Sequence, residues 1–306
     1  MRLFKKVLAV SVASMCALSL AACGGSKSAE TTAAASSESK EETKAGESVS
    51  EAVAATGKDA KDIKVGISIY KFDDNFMTLY RNELVRYLTE DCGIPKDNIV
   101  VQDGKNDQAE QTNQINNFIA TKVDVMILNL VQSSSAPTVT DLAKEAGIPV
   151  VYINREPDET EESRWASDGI KATYVGADAR QSGTFQGEEI AELDNKGDIN
   201  GDGTVKYIMI QGDPENIDAQ YRTEYSVKAL TEKSGLKAEQ LLIQRGDWDQ
   251  AKGQQIAQDA LTQYGKDIEV IFCNNDAMAL GALQAINAAG RKVGEDIYIV
   301  GVDALA

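Results

Sequence analysis

From Asp62 onward, short β-branched runs alternate with amphipathic stretches, and this rhythm leaves few folds open. The runs fall at residues 65–70, 99–102, 125–129, 150–154, 174–177, 205–211, 240–244, 270–273 and 297–301. Helical patterns fill most of the gaps, at 77–91, 107–121, 135–146, 179–193, 218–234, 249–264 and 276–289. Gly147 and Gly290 sit where helix C-caps belong. Alternating strand and helix implies parallel sheets covered by helices on both faces.

Such a chain forms one large sheet or two similar lobes. The stretch 156–173 breaks the pattern and the count restarts near Tyr174, which predicts a first lobe over 62–176 and a second over 177–306. No short internal repeat is visible, so the element count carries the expectation of two doubly wound lobes.

The first 61 residues stand apart. Residues 1–22 read as a secretory signal: Arg2, Lys5 and Lys6 precede an apolar stretch, 7–20, too short to span a bilayer comfortably. The next residues, Leu20-Ala21-Ala22-Cys23-Gly24, resemble a bacterial lipoprotein box. That implies cleavage before Cys23 and lipid on its sulfur; the alternative is a plain secreted signal with an incidental cysteine. Residues 23–61 hold mostly Ser, Thr, Ala, Glu, Lys and Gly, and so read as a flexible tether. The expectation is an extracytoplasmic protein anchored to the cell membrane and not integral to it.

Composition narrows the chemistry. The chain has no histidine, which excludes Ser-His-Asp and Cys-His catalysis and any zinc site built on imidazole. A net charge of −17 argues against nucleic acid and anionic membranes as electrostatic partners. Of the four cysteines, Cys16 leaves with the signal and Cys23 is the lipidation site. Cys92 and Cys273 fall in different lobes, so no disulfide is expected, and Cys273 reads as a buried free thiol.

Two segments carry candidate chemistry. VGISIYKFDDNF, at 65–76, ends an apolar strand in Phe72, Asp73, Asp74, Asn75 and Phe76. In open parallel sheets, ligands bind beyond the carboxyl ends of the strands. An aromatic face beside a fixed carboxylate there suits a small polyol such as a sugar, while a plain βα loop with a capping Asp is the other reading.

The second segment runs from Asp198 to Lys206. It matches the first nine positions of a calcium loop, with Asp198, Asn200 and Asp202 at positions 1, 3 and 5, Gly203 at 6 and the Thr204 carbonyl at 7. Lys206 at position 9 cannot ligate, and Met209 stands at position 12 where a bidentate Glu belongs. An autonomous calcium hand therefore fails, and a distant carboxylate would have to complete the sphere. An Asp/Asn/Gly turn before a strand is the alternative.

These blocks, in order, resemble the galactose/glucose-binding proteins of the periplasmic binding-protein superfamily. The resemblance covers residues 64–305 and rests on VGISIYKFDDNF, NDQAEQTNQINNFIA, ILNLV, DINGDG, CNNDAMALGA and VGVDAL. It implies a type I periplasmic-binding-protein-like fold with the ligand cleft between two lobes. Asp74 and Asn129 would bind sugar hydroxyls from the first lobe, and Asp218, Arg222, Asn275 and Asp303 from the second. Phe76 and Trp248 would stack on the two faces of the ring. Asn216 stands where the family has a histidine contact, and would offer an amide. The resemblance implies a calcium ion held by Asp198, Asn200, Asp202, the carbonyl of Thr204, and Glu269. The family has glutamine where this chain has Lys206, so calcium binding is either weakened or replaced by the ammonium group.

The function implied is a lipid-anchored, monomeric receptor that captures galactose or glucose and delivers it to the permease of an ATP-driven importer, with no chemistry of its own. A sugar sensor for a membrane receptor is one rival. Another is a glycoside-processing enzyme using Asp73 or Asp74 with Asp218, although no glycosidase barrel pattern is present. Family members continue past Ala306, so the resemblance implies an incomplete second lobe, and hence either a truncated sequence or a poorly stable fragment.

Overall fold

The computed structural model describes residues 57–304. The signal, Cys23 and most of the tether lie outside the described residues.

The first lobe is a five-stranded parallel sheet in the order β2-β1-β3-β4-β5. Its strands are β1 (Val65–Ile69), β2 (Ile99–Asp103), β3 (Val125–Leu128), β4 (Val150–Ile153) and β5 (Ala172–Val175). Its helices are α1 (Asn75–Arg86), α2 (Gln108–Ala120), α3 (Ala136–Ala146) and α4 (Glu159–Ser167). The second lobe is a four-stranded parallel sheet in the order β7-β6-β8-β9. Its strands are β6 (Thr204–Gln211), β7 (Lys237–Arg245), β8 (Val270–Cys273) and β9 (Tyr298–Val300). Its helices are α5 (Ala179–Ala191), α6 (Ile217–Ser234), α7 (Gln250–Tyr264) and α8 (Asp276–Ala288).

Burial explains why the central strands read as unbroken apolar runs. Every residue of β1 and β8 is buried, whereas the edge strands β2, β5 and β7 are partly exposed. Alternate residues of each inner strand feed different cores. Val205, Tyr207 and Met209 of β6 pack with Val270 and Phe272 of β8, on the side holding Ile190 of α5 and Leu230 of α6. Ile208 and Ile210 pack with Ile271 and Cys273, on the side holding Ile256 of α7 and Met278 and Ile286 of α8. Helices α5 and α6 approach so closely that a Cβ on Gly187 would lie 2.1 Å from the Ser226 carbonyl oxygen. Cys92 and Cys273 are both free thiols.

The stretch 156–173, which broke the sequence rhythm, contains helix α4. Only Glu161 and Trp165 of that helix are buried, one turn apart, so its apolar stripe is too thin to register as a period. Trp165 stacks on Tyr152 with ring centroids 5.4 Å apart, and its indole N–H donates to Glu161 at 2.7 Å.

Candidate functional site

The strands of both sheets run toward one cleft. From the first lobe it is lined by Tyr70, Asp74, Phe76, Met77, Asn154 and Arg155, and from the second by Asn216, Asp218, Arg222, Trp248, Asn275 and Asp303.

Helix starts position much of this lining. Asp74 is the N-cap of α1: its Oδ1 accepts from the Met77 N–H at 2.8 Å, and its Oδ2 accepts from the Tyr70 hydroxyl. Asn216 caps α6 through the Asp218 N–H at 2.9 Å, and Asn275 caps α8 through the Met278 N–H at 3.0 Å. Three helix N-termini therefore open onto the cleft, and their partial positive charge favours the carboxylates gathered there. Asp73, adjacent to the cap, is exposed and pairs with Lys71.

In the second lobe Arg222, 9% exposed, donates to the Asn274 carbonyl at 2.8 Å and lies 3.8 Å from Asp303. Its guanidinium sits 5.8 Å from the Trp248 ring centre. Burial pushes the Asp218 carboxyl up to about 6 against the pull of Arg222. Burial likewise raises Asp303 to about 7, again opposed by Arg222. Three buried polar atoms here have no protein partner: Asp218 Oδ1, Arg222 Nε and Trp248 Nε1. Buried polar groups are nearly always hydrogen-bonded, so an orphaned acceptor and two orphaned donors in one cleft call for a ligand that offers both kinds of partner.

One expected contact stands apart from the others. Asn129 does not line the cleft. It is fully buried: Oδ1 accepts from the Tyr70 N–H at 3.2 Å, and Nδ2 donates to the Ile153 carbonyl at 3.2 Å and to Asn154 Oδ1 at 3.0 Å. It braces the ends of β1 and β4 through both polar atoms of its side chain. The other expected contacts, Asp74, Phe76, Asn216, Asp218, Arg222, Trp248, Asn275 and Asp303, are brought together.

Sequence reasoning missed Tyr70 and Arg155. Arg155 is 3% exposed, stacks at 3.8 Å on the Tyr70 ring and donates to the Val131 carbonyl at 2.6 Å. Burial and the neighbouring Asp74 push the Tyr70 hydroxyl well up, so it remains a donor to that carboxylate. The segment NDQAEQTNQINNFIA supplies the support behind them. Gln111 donates to Ser68 and to the Asn129 carbonyl and accepts from the Val131 N–H, while Gln114 accepts from Ser68.

The acidic loop 198–206 lies at the start of β6, the opposite end of the second sheet from the cleft. Asp198 accepts from the N–H groups of Gly201, Asp202 and Gly203, and Glu269 from those of Ile199, Asn200 and Lys206. Asn200 accepts from Asp202 N–H, Asp202 Oδ1 accepts from Thr204 N–H, and Asp202 Oδ2 faces Lys206 Nζ at 3.3 Å. Among the described residues, no group of three or more Asp, Glu, Cys or His side chains is arranged to hold a metal ion. Calcium takes roughly six to eight oxygens, and the residues as arranged do not fit it.

Known proteins share this architecture. Residues 65–306 match the family described as periplasmic binding protein domain. The D-galactose/methyl-galactoside binding periplasmic protein MglB of Haemophilus influenzae is 38% identical over 251 residues, 80% of this chain and 72% of that protein. A crystal structure of a galactofuranose binding protein superposes with a TM-score of 0.67 at 26% identity, over 79% of this chain and 76% of that one. An ABC transporter solute binding protein from Bacillus halodurans with bound myo-inositol gives 0.65 at 29%, over 80% and 77%. These relatives are solute-binding proteins and not enzymes, and neither is this chain an enzyme. With its two parallel-sheet lobes and a polar cleft between them, the chain belongs to the periplasmic binding protein family.

Proposed function

We propose that the cleft binds one monosaccharide, D-galactose or D-glucose, and that the protein delivers it to the permease of an ABC importer from a lipid anchor at Cys23. The observation that carries the reading is the set of unpartnered Asp218 Oδ1, Arg222 Nε and Trp248 Nε1 in the cleft that Phe76 also lines. Sugar hydroxyls donate and accept, so one ring supplies partners to both carboxylate and guanidinium. The weakly apolar C–H faces of the ring pack on Phe76 and Trp248. The galactose-binding relative, at 38% identity, supports a hexose. Extracytoplasmic location follows from the family, and no helix among the described residues is long and apolar enough to cross a membrane.

Calorimetric titration with galactose, glucose, ribose and myo-inositol tests the proposal. Heat with galactose or glucose, at an affinity well above that for ribose and myo-inositol, is expected. Preferential binding of either competitor overturns the hexose assignment, and no heat from folded protein with any of the four overturns the reading as a whole. Labelling with radioactive fatty acid, lost in Cys23→Ser, tests the anchor.

A further inference from the structure

The acidic loop 198–206 keeps the outline of a cation site and replaces its cation. We propose that the Lys206 ammonium takes the place of a divalent metal ion there, so that the loop closes and the second lobe is stable without calcium. This does not depend on the identity of the sugar.

A metal in such a loop does two jobs: it pulls the turn shut and it neutralises the carboxylates. Here hydrogen bonds do the first. Asp198 holds three successive N–H groups of the turn, from Gly201 to Gly203. Glu269, 2% exposed, ties the turn to the sheet by accepting from Ile199, Asn200 and Lys206. The Glu269 N–H also donates to the Lys206 carbonyl, so both backbone groups of Lys206 are fixed against Glu269.

That clamp sends the Lys206 side chain back over the turn, where Nζ reaches Asp202 Oδ2 at 3.3 Å. This oxygen is the one side-chain acceptor among Asp198, Asn200, Asp202 and Glu269 not bonded to a backbone N–H. The ammonium thus does the second job at Asp202, from position 9, where a calcium loop places a ligand or a ligating water, while Asp198 and Glu269 are held by backbone N–H groups. A divalent ion entering the loop would have to share Asp202 with a like charge and would lack an oxygen at that position.

Calcium uptake by the full chain is measured by equilibrium dialysis, and thermal midpoints are read with chelator and with added calcium. Wild-type protein is expected to retain no calcium and to melt at the same temperature in both conditions. Lys206→Gln removes the ammonium and supplies an amide oxygen. It is expected to bind one calcium ion at least about tenfold more tightly than wild type and to melt higher with calcium than with chelator. Stoichiometric calcium on the wild type, or a wild-type midpoint that falls in chelator and returns with calcium, overturns the proposal. A folded Lys206→Gln that binds calcium no better than wild type overturns it too. Should that variant not fold, the two wild-type measurements decide the question alone.

Discussion

The Trp248 indole lies directly over Gly212, at the end of β6: a Cβ on that glycine would sit 2.3 Å from the ring. Gly212 is also held by its N–H, which donates to Asn274 Oδ1 at 2.9 Å. The Gly212 backbone is pinned by that bond, so the indole is the side that has to move. Gly212→Ala is therefore expected to swing the indole out of the cleft. Sugar affinity should fall by at least about tenfold, and overpacking should cost roughly 1–3 kcal/mol of stability. Titration calorimetry and tryptophan fluorescence check this; unchanged affinity would show that Trp248 does not stack on the sugar.

Asp218 and Asp303 give binding and stability opposite pH dependences. Their carboxyls sit at about 6 and about 7, above the ordinary 3.8, because both are buried. The ionised forms accept hydroxyl hydrogens, so sugar affinity should weaken as pH falls from about 8 through both values. For the sugar-free fold the sign reverses. Folded carboxyls that hold protons more tightly than unfolded ones contribute stability that is fully present below about 4 and is lost as pH rises through 6 to 7. Calorimetry across that window, with melts of sugar-free protein, checks both directions. Asp303→Asn should flatten the upper part of the affinity curve, and an affinity flat from about pH 5 to 8 would refute the assignment.

The sequence rhythm made the lobes legible because the inner strands are largely buried and so hold few polar residues. Helix α4 was not legible, since two buried residues among nine leave no period. The end of β1 was the most readable part of the site: aromatic and carboxylate sit within one short loop, although only the structure tells Asp74, the cap, from Asp73, its exposed neighbour. Arg155 had no such signal. It follows Asn154, a non-glycine residue at φ 62° whose turn aims the next side chain into the cleft, and nothing in the residue types announces that conformation. Asn129 is hard to place for a related reason. A strand-end amide can face a ligand or brace neighbouring strands, and only the registers of β1 and β4 against β3 decide which.

Arg155 is the expected first-lobe donor to the sugar. Its buried guanidinium has a carbonyl and a tyrosine ring as neighbours, and Asp74 reaches it through the Tyr70 hydroxyl. A hydroxyl accepting from it gains a charge-assisted bond worth roughly 1.5–3 kcal/mol. Arg155→Met should therefore weaken sugar binding by on the order of 10- to 100-fold. The sugar-free melting point should move little, because the lost stacking and hydrogen bond are offset by relief of a buried charge. Titration with singly deoxygenated sugars identifies the hydroxyl concerned: the sugar lacking it should bind wild type and variant equally.

Asn129 should act on the sugar only through Arg155. Asn129→Ala leaves the Tyr70 N–H without its acceptor and frees Asn154, the residue before Arg155. An orphaned buried donor costs about 1–3 kcal/mol of stability. Loosening the turn at Asn154 also lets the guanidinium drift from its place over Tyr70, so affinity should fall as well. A double-mutant cycle with Arg155→Met separates this route from direct contact. If Asn129 works by positioning Arg155, its replacement should lower affinity in the wild-type background and change it hardly at all once Arg155 is methionine. Two independent contacts to the sugar would instead give losses that add, and additivity would return Asn129 to the cleft lining.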